Sequence, residues 1–324
     1  MKSNLLKGYL FFLLCSAVVQ LPAQPNEADR KLLADTRTKA ENGDAEAQNQ
    51  LGNFYFNGQG VPKDLVQAVN WYRKAAEQND APAQCNLGGC YLQGNGVTKD
   101  EMEGVKWARK AAAQNYAPAQ YGLGVCYFNG QGVPKDLVQA VNWYRKAAEQ
   151  NDASAQCNLG GCYLQGNGVT KDEAEGAKLI RKAAEQNYAG GQYNLGFCFE
   201  NGQGVEKDDV EAVKWYRKAA EDGQATSFKA LNALAWILAT SQNPELRDGS
   251  NAVVFAEKSV TATHRKSPAE LDTLAAAYAE TGDFEKAVSI QQEAIALLQT
   301  EVQRKDYKYR LKFFELHLPY RSKD

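Results

Sequence analysis

A right-handed, all-α solenoid of antiparallel helix pairs is the fold that this 324-residue sequence predicts. Three observations carry the prediction: a 36-residue period, apolar residues at helical spacing within each period, and glycine and aspartate at fixed places between the helices. Repeated units that contact only their neighbours stack into a solenoid. The period is marked by five Leu-Gly pairs, which begin at Leu51, Leu87, Leu123, Leu159 and Leu195.

The N-terminus has the pattern of a signal peptide. A short basic region precedes an apolar stretch at residues 9–19, and Ala23 offers a small residue for cleavage. A hydrophobic helix belonging to the fold is one alternative. A lipid anchor on Cys15 is another, although Leu14 is an unusual residue to precede a lipidated cysteine. We therefore expect residues 1–23 to direct export to the periplasm or the medium. No later segment is apolar enough to span a membrane.

A capping helix is expected next, within residues 24–43. Residues 27–43 align with the second helix of a repeat, but Asp35 holds the place of a tryptophan. A polar residue there suits a helix that has no preceding neighbour to bury against.

Each repeat is expected to form two helices. In the second repeat, Leu87, Cys90 and Tyr91 lie on one face of a first helix, which Gly94 ends. An aspartate, Asp100 in this repeat, then caps the second helix. The five repeats span residues 44–79, 80–115, 116–151, 152–187 and 188–223, and the equivalent aspartates are Asp64, Asp136, Asp172 and Asp208.

The repeat motif resembles the Sel-one-like (Sel1) repeat family. A Leu-Gly helix, a Gly-x-Gly-Val-x-Lys-Asp loop and a helix with Trp, Arg-Lys and Ala-Ala recur through residues 44–223. The resemblance implies a solenoid related to tetratricopeptide repeats. The departures are Leu179-Ile180, in place of Trp-Tyr, and Gly190-Gly191, in place of an alanine-rich start. Within the repeats, residues 55–100 recur at 127–172 with a single difference, which indicates duplication of a two-repeat block.

Residues 224–324 depart from the 36-residue period and resemble tetratricopeptide helices with a final cap. A loop with Pro and Gly separates the first apolar stripe from a return helix expected at residues 252–259. Ala275 and Ala287 have the spacing of a tetratricopeptide repeat, and a last helix is expected at residues 307–318.

Charge and motifs argue against nucleic-acid binding and catalysis. The net charge is −2, whereas a nucleic-acid binder needs a basic face. The two histidines, His264 and His317, stand apart from any cluster with metal-ligand spacing. The glycine-rich loops lack the Lys-Ser/Thr pair of a phosphate-binding loop. We therefore expect no catalytic residue, no metal and no cofactor.

Cysteines recur in two columns of the repeat, and Cys85 and Cys157 form the second. Cys90, Cys126, Cys162 and Cys198 share a column with Phe54, and a place shared with phenylalanine indicates a buried position. Cys85 lies five residues before Cys90 on one helix, which is too far for a disulfide. Free thiols are therefore favoured, although bridges between repeats stay open.

Some cysteine-rich exported members of the family bridge the two helices of each repeat. Here the matching place in the second helix holds Ala76, Ala112, Ala148, Ala184 and Ala220. The disulfide pattern of that subgroup does not carry over, and neither does its penicillin-binding activity.

The resemblance also implies a partner-binding groove lined by the first helices. One inward column would hold Asn49, Cys85, Tyr121, Cys157 and Tyr193, and the other Phe56, Leu92, Phe128 and Leu164, with Glu200 in the last place. Such side chains suit an extended peptide or an amphipathic helix. The alternative is that they pack between neighbouring repeats.

Two classes of function remain. We expect an exported scaffold or adaptor that binds a protein or peptide partner. The alternative is a cell-wall-associated hydrolase or a penicillin-binding activity, for which the sequence offers no constellation of nucleophile, base or metal.

Overall fold

The computed structural model describes residues 27–221 and 227–322. The regular elements within these ranges are sixteen α-helices and one short 3-10 helix (Pro244–Leu246), and none of these residues lies in a strand. The predicted signal peptide falls outside the described residues. The helices are α1 (Glu27–Glu41), α2 (Ala45–Asn57), α3 (Leu65–Glu77), α4 (Ala81–Gln93), α5 (Glu101–Ala113), α6 (Ala117–Asn129), α7 (Leu137–Glu149), α8 (Ala153–Gln165), α9 (Glu173–Glu185), α10 (Ala189–Asn201), α11 (Asp209–Glu221), α12 (Ser227–Thr240), α13 (Gly249–Ala262), α14 (Pro268–Glu280), α15 (Phe284–Ala296) and α16 (Glu301–Glu315).

The ends of the repeat helices follow from local capping. Gly94 takes the left-handed conformation (φ 76°), and its N–H donates to the Cys90 carbonyl at the end of α4. Asp100 then accepts a hydrogen bond from the Glu103 N–H at 3.0 Å and starts α5. Asn79 (φ 67°) turns the chain between repeats. The predicted glycine ends and aspartate caps are confirmed.

Two helix bounds differ from the expectation. The return helix α13 runs from Gly249 to Ala262, longer than the expected 252–259, because the Asp248 side chain caps it by accepting from the Asn251 N–H. The last helix begins at Glu301 rather than 307, because Thr300 and Gln303 form a reciprocal capping box.

The chain forms two compact units, residues 1–179 and 180–324, whose boundary falls within α9. In the described part of the first unit, helix pairs pack in two alternating ways. A Cβ on Gly124 would lie 2.4 Å from the Tyr144 ring, so the tyrosine fills the space that the glycine leaves. A Cβ on Gly88 would lie 2.9 Å from the Gly104 carbonyl oxygen, so there the two backbones approach directly. Two repeats are therefore the recurring packing unit, which agrees with duplication of a two-repeat block.

The second unit contains a buried ion pair between α14 and α16. Leu195, Tyr216, Leu234, Leu271 and Phe314 are fully or almost fully buried in this unit. On α14, Asp272 accepts two hydrogen bonds from Arg310 of α16, at 2.8 and 2.7 Å, and a third from the Gln291 amide at 2.7 Å. This bidentate pair anchors the last helix, because a buried charge needs partners on both oxygens. Within the described ranges, no helix is long and apolar enough to cross a membrane.

Candidate functional site

The first helices of the repeats carry almost no charge. Three consecutive ones, α4, α6 and α8, contain no Asp, Glu, Lys or Arg. The second helices between them carry an Arg-Lys pair and acidic residues. The repeats therefore have one neutral side and one charged side, and only the neutral side can bury polar groups without desolvating a charge.

Side-chain amides cover the neutral side in the first unit. On α2, Asn53 and Asn57 are four residues apart and lie on one face. The Asn53 Oδ1 accepts hydrogen bonds from the Tyr72 hydroxyl at 2.8 Å and from the Asn86 amide at 3.4 Å. We call this surface the amide face and define it by its exposed and half-exposed members, Gln50, Asn53, Asn57, Asn86, Gln93, Asn129, Asn158 and Gln165.

The first predicted groove column is mostly buried beneath the amide face. Asn49, Cys85 and Cys157 are buried, whereas Tyr121 and Tyr193 are half-buried. The Asn86 amide donates to the Asn49 Oδ1 at 2.9 Å. The Tyr121 hydroxyl accepts from the Asn158 amide at 3.4 Å. The exposed parts of the column are therefore its two tyrosines.

The second predicted column is divided in the same way. Phe56 is 7% exposed and Leu92 is 1% exposed, so both belong to the core, whereas Phe128 and Leu164 are half-buried. Glu200 holds the fifth place and accepts a hydrogen bond from the Tyr216 hydroxyl at 2.6 Å, and burial raises its pKa. Whether either column contacts a partner stays a prediction.

The amide face was not among the surfaces predicted from the sequence. The signal was present as an amide at the last position of every first helix: Asn57, Gln93, Asn129, Gln165 and Asn201. All five are exposed. Asparagine and glutamine are common in loops. The amide column therefore predicts a surface only when the helix positions of these side chains are known.

Glutamine amides join the two helices of a repeat, and one of them also bonds to the preceding repeat. The Gln84 Nε2 donates to the Ala76 carbonyl at 3.1 Å, and its Oε1 accepts from the Gln114 Nε2 at 2.8 Å. The same bond joins Gln150 to Gln120 at 2.7 Å one repeat later. The same amide bond therefore recurs at the same places of the motif in successive repeats of this unit.

Titratable groups show no constellation for catalysis in the described ranges. His264 and His317 are exposed, and the His317 ring stacks on Phe284 at 5.1 Å. No group of three or more His, Cys, Asp or Glu residues there could hold a metal ion. Burial raises the pKa of the Cys85, Cys90, Cys126 and Cys162 thiols to about 12. The described side chains thus offer hydrogen bonds and apolar surface.

The repeats match the Sel1 repeat family at residues 45–80, 81–116, 117–152, 153–188 and 189–224. The chain belongs to the Sel1 repeat family. A Sel1 repeat protein from Oxalobacter formigenes is similar in structure, with a TM-score of 0.63 and 34% sequence identity, over 71% of this chain and 91% of that one. This likeness confirms the prediction of an all-α solenoid of antiparallel helix pairs.

Two Escherichia coli proteins are also similar. A protective antigen of uropathogenic strains, which displays the Sel1-like repeat fold, matches at a TM-score of 0.54 and 30% identity, over 91% of this chain and 69% of that chain. The secretory immunoglobulin A-binding protein EsiB is 44% identical over 75 residues, which are 23% of this chain and 14% of EsiB. Sel1 repeat solenoids are protein-interaction scaffolds, and this chain has that fold.

Proposed function

We propose that this chain is an exported scaffold that binds a protein or peptide partner along the amide face. The observation that carries the proposal is the absence of charge on three consecutive first helices, α4, α6 and α8. Amides can donate and accept hydrogen bonds to a peptide backbone without the desolvation cost of a charged group. The half-buried Tyr121 ring adds apolar contact in the same unit.

Export is supported by the basic and apolar pattern of residues 1–23. It is also supported by the similarity to EsiB, because EsiB binds secretory immunoglobulin A, which is an extracellular antibody. The near-neutral net charge of −2 supports a protein partner over a nucleic acid.

A charge placed on the amide face tests the proposal. We expect Gln93→Lys with Asn129→Lys to weaken partner capture about tenfold or more, because each lysine adds a charge that the partner must desolvate. Both positions end a first helix, where a positive charge suits the helix dipole, so the fold should be kept. The measurement is quantitative capture from envelope extract, with circular dichroism as a check on folding.

The chain offers a matched control on the second helices. Asn70→Lys with Asn142→Lys makes the same chemical change at exposed positions of α3 and α7, and the second and fourth repeats already have Lys106 and Lys178 there. The control should capture the partner like the unaltered chain. If both variants lose partner capture equally, or if neither loses it, the amide face is not the binding surface.

A further inference from the structure

The chain folds its own C-terminal segment back onto its second unit. After α16, residues 318–322 leave the helix and lie against the ends of α12 and α14. The Ser322 N–H donates to the Thr240 carbonyl at 2.9 Å, and the Gln242 amide donates to the Ser322 carbonyl at 3.1 Å. The backbone of the segment is therefore bound at the C-terminal end of α12.

An aromatic side chain of the segment enters a slot beside this backbone contact. The Tyr320 ring lies 6.0 Å from the Trp236 ring and 5.8 Å from the Phe313 ring, the latter edge to face. The Arg310 guanidinium carbon lies 5.7 Å from the centre of the Tyr320 ring. Tyr320 is thus held by two rings and a cation.

The next side chain forms an ion pair. The Arg321 Nη1 lies 2.6 Å from the Glu280 carboxylate and 3.3 Å from the Ala239 carbonyl. The other Glu280 oxygen lies 3.2 Å from Arg247, so a second arginine outside the tail also holds this carboxylate. We call this surface the tail strip and define it as Trp236, Ala239, Thr240, Gln242 and Glu280.

The tail strip offers backbone carbonyls, an aromatic ring and a carboxylate. These groups can bind any extended peptide that has matching side chains, and not only the tail. The carbonyls of Ala239 and Thr240 belong to the last turn of α12, where a helix leaves its acceptors without partners. Tyr320, Arg321 and Ser322 are only half-buried, so the tail is held by a few contacts at the surface. A cavity of about 280 Å³ continues beyond Ser322, and Glu200, Lys207, Asp209 and Trp236 help to line it.

We propose that the tail strip is a peptide-binding site that the chain's own C-terminal segment occupies. Its partner is an extended peptide in which an aromatic residue is directly followed by arginine. The aromatic residue takes the place of Tyr320, the arginine pairs with Glu280, and the peptide continues into the cavity beside Glu200 and Asp209. This deepens the proposed function and rests on it only for the role of a scaffold, because the tail strip and the amide face are different surfaces.

A labelled peptide with the sequence of residues 316–324 tests the proposal by fluorescence anisotropy. We expect it to bind the full chain carrying Tyr320→Ala and Arg321→Ala about tenfold more tightly than the unaltered chain. The reason is that a tethered tail competes at a high effective concentration. A peptide with the same two alanines should not bind either protein.

Two further variants locate the site. In the tail-released chain, Trp236→Ala should abolish peptide binding, because it removes one wall of the aromatic slot. Trp107→Ala removes the same side chain from α5 in the first unit, and it should leave binding unchanged. Binding that survives Trp236→Ala, equal affinity for the tail-released and unaltered chains, or no saturable binding would each overturn the proposal.

If the tail-released chain does not fold, the unaltered chain still decides the question. Excess unlabelled peptide should then speed hydrogen exchange of the tail amides, and unchanged exchange would overturn the proposal. Failure here would leave partner capture by the amide face intact. Failure of the lysine variants to affect capture would likewise leave the tail strip untouched.

Discussion

Burial controls the chemistry of the cysteine side chains. All six cysteines of the described residues are buried, and Cys126 and Cys198 are fully enclosed. The raised pKa of the Cys85 and Cys126 thiols follows from their loss of contact with water, because burial disfavours the charged thiolate. These residues therefore act as small apolar side chains that fill the repeat core.

We expect the folded chain to show little reaction with a thiol reagent at pH 8. Because the pKa of Cys85, Cys90, Cys126 and Cys162 is about 12, the reaction should not rise through pH 8 to 9 as it does for an exposed cysteine. Non-reducing denaturant should release most of the six thiols. A denatured sample without reactive thiol would show that bridges join different repeats.

Each helix of the repeats is bounded by interactions that span only a few residues. The Asp152 carboxylate accepts a hydrogen bond from the Ala155 N–H at 2.7 Å and starts α8. Burial raises the pKa of Asp152, although the hydrogen bonds that it accepts act in the opposite direction. Capping and burial therefore oppose each other at this residue, and the hydrogen bond, rather than the charge, is the stabilising part.

Asp152→Ala should lower the free energy of unfolding by about 1 kcal/mol, as expected for loss of an N-cap. Asp152→Asn should keep the cap and be at least as stable as the unaltered chain at neutral pH, because it is uncharged. Since the folded pKa is raised, protonation favours the folded state, so the advantage of Asn should begin to shrink as the pH falls through the folded pKa and be gone below the lower, unfolded pKa. Urea unfolding at neutral and acid pH measures this, and an Asn variant as unstable as the Ala variant would contradict it.

Two junctions between repeats, α3 with α4 and α7 with α8, are built from nearly the same residues and contacts. In the first unit, α3 and α7 have the same sequence, and the turns that follow them have the same left-handed asparagine, Asn79 at φ 67° and Asn151 at φ 66°. The Gln84 and Gln156 amides each donate to a carbonyl of the preceding helix, that of Ala76 and that of Ala148. Contacts at one junction are therefore repeated at the other.

Deletion of residues 80–151 should leave a folded protein. It removes one complete packing unit of two repeats and joins Asn79 to Asp152, so α3 meets α8 through contacts that α7 makes now. Stability in a solenoid is approximately a sum of repeat terms and interface terms, so only part of it should be lost. Circular dichroism should show an unchanged helical signal per residue. An unfolded or insoluble product would contradict the interchangeability of the repeats.

The period, the helix pairs and nearly all the helix ends in the repeats could be predicted from local sequence patterns. α4 begins and ends where the spacing of Leu87, Cys90 and Gly94 predicts, because caps and apolar periodicity act over one or two turns. The bounds of α13 and α16 were less well predicted, because their caps at Asp248 and Thr300 lie outside the repeated motif.

Local patterns could not predict which of these side chains are exposed to solvent, because exposure depends on tertiary packing. Phe56 and Phe128 hold the same place in the motif, yet one is buried and the other half-buried. The helix pairs that hold them pack alike, Gly52 against Tyr72 and Gly124 against Tyr144, so the difference comes from neighbours outside the pair. The tail strip depends on residues about 80 positions apart, such as Thr240 and Ser322. No local pattern encodes such a pair, because α16 packs on α15 and is bound to α14 by the Asp272–Arg310 pair, and this arrangement brings the two members together.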